Sequence, residues 1–200
     1  MSEPTQTGWE VLDEARATLR QVVVAVPESG WSLPTPCDGW STAQVLHHAA
    51  LDQQVWAAIV GGTEPSDENP FAPTGVFGID PADYAYHALD SSVLPWTVID
   101  EDAGPVPTPL PQGTMEPPAA AAAAALDAAI HAWDIAVATG QESPLTPELA
   151  RSLTPVARRI VEPLRAYGAY AAALEADGDA DDAAALLAFL GRHPGWAPKD

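Results

Sequence analysis

Asp127, His131 and Asp134 form the chemically most informative group of residues in this sequence. Their spacings of four and three residues place the three side chains on one side of a helix. Asp127 lies in an Ala-Leu-rich run and has no Lys or Arg within helical reach. Because an unpaired buried carboxylate is strongly disfavoured, we expect a cation beside it. A carboxylate followed one turn later by an imidazole is a common way for a helix to offer two metal ligands.

His48 is the natural third ligand, because it lies mid-way along another predicted helix on the same side as Val45 and Val55. Two histidines and one carboxylate leave coordination positions open for water or substrate, which is typical of a reactive metal site. A hydrogen-bonded network in the core would produce the same spacing, so the residues alone leave both interpretations open. His47 follows the opposite face and is expected to face solvent or to be a packing residue.

Three further residues near these positions have candidate supporting roles. Asp52 lies one turn after His48 and could orient that ring, and Asp134 could orient His131 or cap a neighbouring loop. Cys37 is the only cysteine. No base adjacent to it is evident in the sequence, so a structural role is favoured over a nucleophilic one.

The elements that must position these residues are predicted to be helices. Apolar residues recur every three or four positions, and helix starts are marked by Ser41, Asp80-Pro81 and Thr146-Pro147. Prolines between 95 and 117 leave an extended connection or a short edge hairpin in front of the Asp127 helix. The predicted helices cover about 9–23, 41–60, 80–94, 118–139, 146–166 and 181–190.

Composition narrows the possible functions of the chain. The formal charge is -20 and the only lysine is Lys199, so no basic stripe is available for nucleic acid. The longest apolar run, Ala119 to Leu126, is too short to cross a membrane. The N-terminus lacks the pattern of a signal peptide, and one cysteine makes no intrachain disulfide. A cytoplasmic protein with no nucleic-acid or membrane partner is expected.

Three segments together resemble the mycothiol-dependent maleylpyruvate isomerase-like, metal-binding branch of the DinB superfamily. They are Thr35 to His48, with the sequence TPCDGWSTAQVLHH; Asp127 to Gly140, with DAAIHAWDIAVATG; and Leu186 to Pro194, with LLAFLGRHP. The resemblance extends over nearly the whole chain. It implies an all-α fold, a DinB-like four-helix bundle with extra C-terminal helices, in one domain over 1–200. The core bundle would cover about 7–140 and the C-terminal extension about 146–192.

The resemblance also implies a divalent metal, zinc first and nickel second, bound by His48, Asp127 and His131. The isomerase motif that this chain resembles has glutamate at the acid position, whereas the aspartate found here, Asp127, is one methylene shorter. They also carry a separate C-terminal domain, whereas the residues after Gly140 predict two helices and a tail.

The leading functional hypothesis is a thiol-dependent metalloenzyme, an isomerase or S-transferase that uses mycothiol or another small thiol. The metal would stabilise the thiolate, which attacks a small electrophile. One alternative is a metal-dependent hydrolase, and another is a metal-stabilised module that binds a small molecule or a partner without catalysis. An anionic substrate would need an arginine, and the main candidates are Arg158, Arg159 and Arg165, which surface solvation explains equally well. Either a monomer or a homodimer is expected.

Overall fold

The computed structural model describes residues 6–198, so Lys199 lies outside the described residues. Its regular secondary structure is almost entirely helical. The predicted all-α class and the short hairpin before the Asp127 helix are confirmed. A 3₁₀ helix covers Glu28–Ser32, and two short antiparallel strands are β1, Val106–Pro107, and β2, Thr114–Met115. The helices are α1, Glu10–Val24; α2, Thr42–Val60; α3, Pro81–Ser91; α4, Leu94–Thr97; α5, Pro117–Ala138; α6, Pro147–Arg165; and α7, Asp182–Phe189.

The helix starts follow the predicted capping residues. Ser41 accepts a hydrogen bond from the backbone of Gln44, whose side chain reaches back to the Ser41 backbone and completes a capping box. Asp80 and Thr146 cap α3 and α6, each followed by a proline in the first turn.

The third helix is shorter than predicted. It ends at Ser91 instead of reaching about 94, and a separate short helix, α4, begins at Leu94. Pro95 explains the interruption, because a proline has no N–H for the carbonyl four residues earlier and its ring collides with it. That carbonyl belongs to Ser91.

Helix α5 is the centre of the bundle and packs against α1, α2 and α6. Apart from the side that carries Asp127, His131 and Asp134 it is apolar, as expected for a helix surrounded by protein, and its many alanines let the neighbouring helices approach closely. By length and composition alone α5 could span a membrane, but 83% of its apolar window is buried inside the fold. This is the burial of a core helix.

The bundle brings α2 and α5 side by side, and residues of the C-terminal segment line the same cavity as residues of these two helices. Helix α6 packs on α5, and α7 packs on α6. The division into a core bundle of about 7–140 and an extension of about 146–192 stays a prediction.

Candidate metal centre

The three residues predicted as metal ligands lie together between α2 and α5. One carboxylate oxygen of Asp127, Oδ1, is 3.4 Å from Nε2 of His48 and 3.4 Å from Nε2 of His131. The two imidazole rings are perpendicular, with centroids 4.6 Å apart. Tetrahedral zinc ligands at about 2.0–2.2 Å from the ion are about 3.3–3.6 Å from one another, so these spacings fit a shared ion. Although it is one methylene shorter than glutamate, Asp127 therefore places Oδ1 at a ligand-to-ligand distance from both imidazoles.

Hydrogen bonds at the far side of each ring fix the tautomers. Nδ1 of His48 is 2.8 Å from the backbone carbonyl oxygen of Pro70, and a carbonyl only accepts, so Nδ1 carries the proton and donates. Nδ1 of His131 donates in the same way to Oδ2 of Asp134 at 2.9 Å. In the neutral rings, both Nε2 atoms then carry lone pairs that point toward Asp127. This is the arrangement that orients histidine ligands in metal sites.

The inner face of this cluster has acceptors but no fixed donor. The Asp127 side chain is only 16% exposed, and its second oxygen, Oδ2, has no hydrogen-bond partner within residues 6–198. Two nitrogen lone pairs and a carboxylate repel one another unless a proton or a cation lies between them. The residues present therefore fit a divalent ion.

Without an ion, a proton takes this position. For His131, burial disfavours the charged ring, but the Asp127 carboxylate outweighs it and raises the pKa well above the usual value. For Asp127, burial opposes ionisation, but protonated His131 and bonds from both rings hold the pKa below its usual range. A metal ion would replace this shared proton.

Asp134 connects the His131 ring to the C-terminal part of the chain. Its carboxylate is completely buried and accepts two hydrogen bonds from the fork of Arg192, at 2.9 and 2.7 Å. Burial opposes ionisation of Asp134, but the Arg192 charge lowers its pKa below the usual range. The orienting role predicted for Asp134 thus has the expected geometry, and its alternative of capping a loop is not observed.

Cys37 lies on the outer side of the same network. Its thiol donates to Oδ2 of Asp134 at 3.2 Å and lies 4.0 Å from Nδ1 of His131 and 3.6 Å from Nη2 of Arg192. The sequence shows no base next to Cys37 because Asp134 is 97 residues away and is brought to the thiol only by the fold.

A second group of potential ligands shares one histidine with the first. Cys37, His131 and Asp134 also offer three ligand atoms within 4.8 Å of one another. However, Asp134 is already neutralised by Arg192, whereas no arginine or lysine within residues 6–198 pairs with Asp127, whose contacts are the two imidazoles. The positive charge of a metal ion is better accommodated at the first group, which leaves Cys37 and Asp134 to support it.

A cavity of about 720 Å³ opens directly onto the His48, Asp127 and His131 cluster. Its volume is in the range of small-molecule sites. Asp52 lines the cavity but makes no hydrogen bond to His48, whose Nδ1 is bound to Pro70, so the predicted orienting role of Asp52 is not observed. Burial and the nearby Asp127 raise the pKa of Asp52 well above its usual range.

His47 is a packing residue, and the alternative that it faces solvent is wrong. The residue is only 4% exposed to solvent. Nδ1 accepts a hydrogen bond from the backbone of Gly75, and Nε2 lies 3.3 Å from Glu68. His47 therefore anchors the 63–79 loop, and this loop carries the Pro70 carbonyl to His48.

Two local structures present the outer residues of the site. In the loop before α2, Thr35 bonds through its hydroxyl to the backbone of Cys37 and Trp40, which holds this segment against the cavity. After α7, Gly191 has a φ of 81°, and a Cβ there would lie 2.8 Å from the carbonyls of two residues in the preceding loop. Glycine is therefore required at the turn that directs Arg192 inward.

Sequence reasoning missed three contributors to the site. Arg192 was part of a quoted motif, but nothing in the sequence pairs it with Asp134. The Pro70 carbonyl is a backbone group, which residue types do not reveal. Tyr170 lies at the cavity wall, where burial, together with the nearby Asp127, raises its pKa to about 12 and keeps its hydroxyl protonated.

Two relatives come from Mycobacterium tuberculosis, one from strain CDC 1551 / Oshkosh and one from strain ATCC 25618 / H37Rv. Each is 31% identical to this chain over 164 residues, covering 80% of this chain and 83% of the relative. Both are described only as uncharacterized proteins. No solved structure gives a significant match.

A family profile also matches this sequence. It is described as the mycothiol maleylpyruvate isomerase N-terminal domain, and it matches residues 12–136, which include His48, Asp127 and His131. The helical bundle described above agrees with this match and with the DinB-like fold expected from the motifs. The chain therefore belongs to the mycothiol maleylpyruvate isomerase N-terminal domain family.

Proposed function

We propose that this protein binds one divalent metal ion through His48, Asp127 and His131 and uses it to activate a low-molecular-weight thiol, mycothiol in the first place. The observation that carries the proposal is the convergence, at one end of a cavity, of two oriented Nε2 atoms and a largely buried carboxylate whose Oδ2 has no partner within residues 6–198. The family description supports the choice of thiol. Zinc is the first candidate ion and nickel the second.

A metal ion with an open coordination position lowers the pKa of a bound thiol and so supplies thiolate at neutral pH. The protein's own groups do the rest. The Pro70 carbonyl and Asp134 hold the two imidazoles in the ligating tautomer, and Arg192 compensates the Asp134 charge. The cavity holds the electrophile beside the thiol, which favours reaction through proximity.

Cobalt substitution tests the thiol part of the proposal directly. Cobalt-loaded protein mixed with mycothiol is expected to develop near-ultraviolet sulfur-to-cobalt charge-transfer absorption. S-methylated mycothiol should give none, and His131→Ala should abolish the band. The Cys37→Ser variant must keep it, because Cys37 is the one cysteine that could produce the same absorption. No band with the free thiol would refute thiol binding at the metal.

Metal-dependent hydrolysis is a second candidate because of one observation. Asp52 lines the cavity, and burial raises its pKa, so it is a carboxyl group able to exchange a proton near the metal cluster. Ester or amide cleavage that needs metal and Asp52 but no thiol would favour this candidate. Turnover that requires the thiol would exclude it.

A further inference from the structure

The cavity beside the metal centre has very few positive charges for a small-molecule site. Within residues 6–198, Arg192 is the only arginine or lysine that lines it, and the acidic residues that line it are Asp38, Asp52 and Asp127. Both Nε and Nη2 of Arg192 are bound to Asp134, so its charge is already compensated. Apart from a metal ion held by His48, Asp127 and His131, an anionic substrate would find no free cationic side chain in the described part of the wall.

The arginines considered from the sequence do not change this balance. Arg165 pairs with Glu162 and with the carbonyls of Ala171 and Phe189. Arg158 lies over the ring of Phe189, and neither Arg158 nor Arg159 lines the cavity. None of these three arginines is therefore placed to bind an anion in the cavity.

The rest of the wall is apolar and rich in aromatic side chains. Two of them lie at the rim with large exposed areas, Phe71 at 66% and Tyr167 at 74%. Apolar groups at a cavity entrance bind apolar ligands by removing both surfaces from water. The aromatic residues of the wall are Trp40, Trp56, Phe71, Tyr167 and Tyr170.

From this charge balance and lining we propose that the substrate is an uncharged, largely apolar electrophile, and not a carboxylate or phosphate. The inference rests on the proposed function for the reaction but on the cavity alone for the substrate class. In a conjugate addition, a sulfur–carbon bond forms at the β-carbon and the π electron pair moves to the α-carbon. That carbon takes the proton released by the thiol. The step balances with the thiol and the electrophile alone and needs no charged group on the substrate.

Binding of a matched pair of probes tests the substrate class without thiol or turnover. The probes are methyl 2-naphthyl sulfone, which is uncharged, and naphthalene-2-sulfonate, which has the same aromatic body, one negative charge and little affinity for metals. Zinc-loaded protein is expected to bind the sulfone at least about tenfold more tightly, because the buried sulfonate lacks a partner. Phe71→Ala should weaken sulfone binding, whereas Val76→Ala, an exposed position in the same loop that does not line the cavity, should not.

A second pair of variants tests whether probe binding depends on charge inside the cavity, as distinct from the net charge of the protein or the hydrophobicity of the probe. Leu110→Arg adds a cation to the cavity wall, and Leu94→Arg adds the same charge at a position that is 71% exposed and does not line the cavity. Leu110→Arg should increase sulfonate affinity about tenfold, and Leu94→Arg should not. Equal binding of the two probes, binding of neither, or no difference between the two arginine variants would overturn the proposal. Because no thiol is present, the proposed thiol chemistry fails or succeeds separately in the cobalt experiment.

Discussion

Replacing Arg192 with methionine is expected to destabilise the protein far more than the loss of a surface ion pair normally does. Methionine keeps much of the length of the side chain but removes the fork that binds Asp134. The Asp134 carboxylate, which is 0% exposed, would keep only His131 and the Cys37 thiol as partners. The variant therefore leaves a buried negative charge without its compensating cation.

The expected size of the effect follows from burial. The Arg192 side chain is 11% exposed and its partner is fully buried, and breaking such a pair from one side costs about 3–5 kcal/mol. Arg151 and Asp182 form a pair of the same type on the surface, with side chains 63% and 45% exposed. Arg151→Met should therefore cost only about 0–1 kcal/mol.

Urea unfolding of metal-free protein, followed by circular dichroism, measures both variants under the same conditions. A domain of this size should also show a melting temperature about 6–20 °C lower for Arg192→Met. Adding Asp134→Asn to Arg192→Met should recover part of the loss, because the unpaired charge is removed. If Arg192→Met and Arg151→Met had the same free energy of unfolding, the argued role of Arg192 would be refuted.

Two further predictions concern the metal and the turn that carries Arg192. Because the pKa of His131 is raised, a metal ion must displace a proton at any pH below that raised pKa, so metal affinity should fall about tenfold for each pH unit below it. A fluorescent zinc chelator used in competition measures this, and a flat profile would contradict it. Gly191→Ala should cost about 1–3 kcal/mol in urea unfolding, because of its positive φ and the close carbonyls. Gly178→Ala, where nothing lies within 4 Å of an added Cβ, is the control, and equal losses would contradict the argument.

The sequence predicts the parts of this molecule that depend on local spacing. Caps such as Ser41 and Thr146 locate helix starts because the groups that bond are only three residues apart. Asp127 and His131 are one helical turn apart, so their shared face can be read directly from the sequence. The position of His48 on a predicted buried helix face, together with the family resemblance, predicts it as the third ligand. In the structure it lies beside Asp127 and His131.

The parts that sequence did not predict depend on contacts between distant segments. Arg192 and Asp134 are 58 residues apart, and Arg192 is positioned by the turn after α7. His48 is oriented by the backbone carbonyl of Pro70, and every residue has such a carbonyl. The sequence allows His47 either to pack or to face solvent. It is buried because the 63–79 loop covers it, and contacts with a loop cannot be predicted from helical spacing.

Metal content is the most direct test of the central claim that His48, Asp127 and His131 hold a metal ion. Protein purified without a histidine tag should contain close to one zinc or nickel ion per chain by mass spectrometry of the metal. Asp127→Ala and His131→Ala should each lose it, whereas His87→Ala, an exposed histidine on α3, should retain it. Absence of stoichiometric metal after reconstitution with zinc, nickel, manganese or iron would contradict the account, and the cluster would then be a buried hydrogen-bonded network.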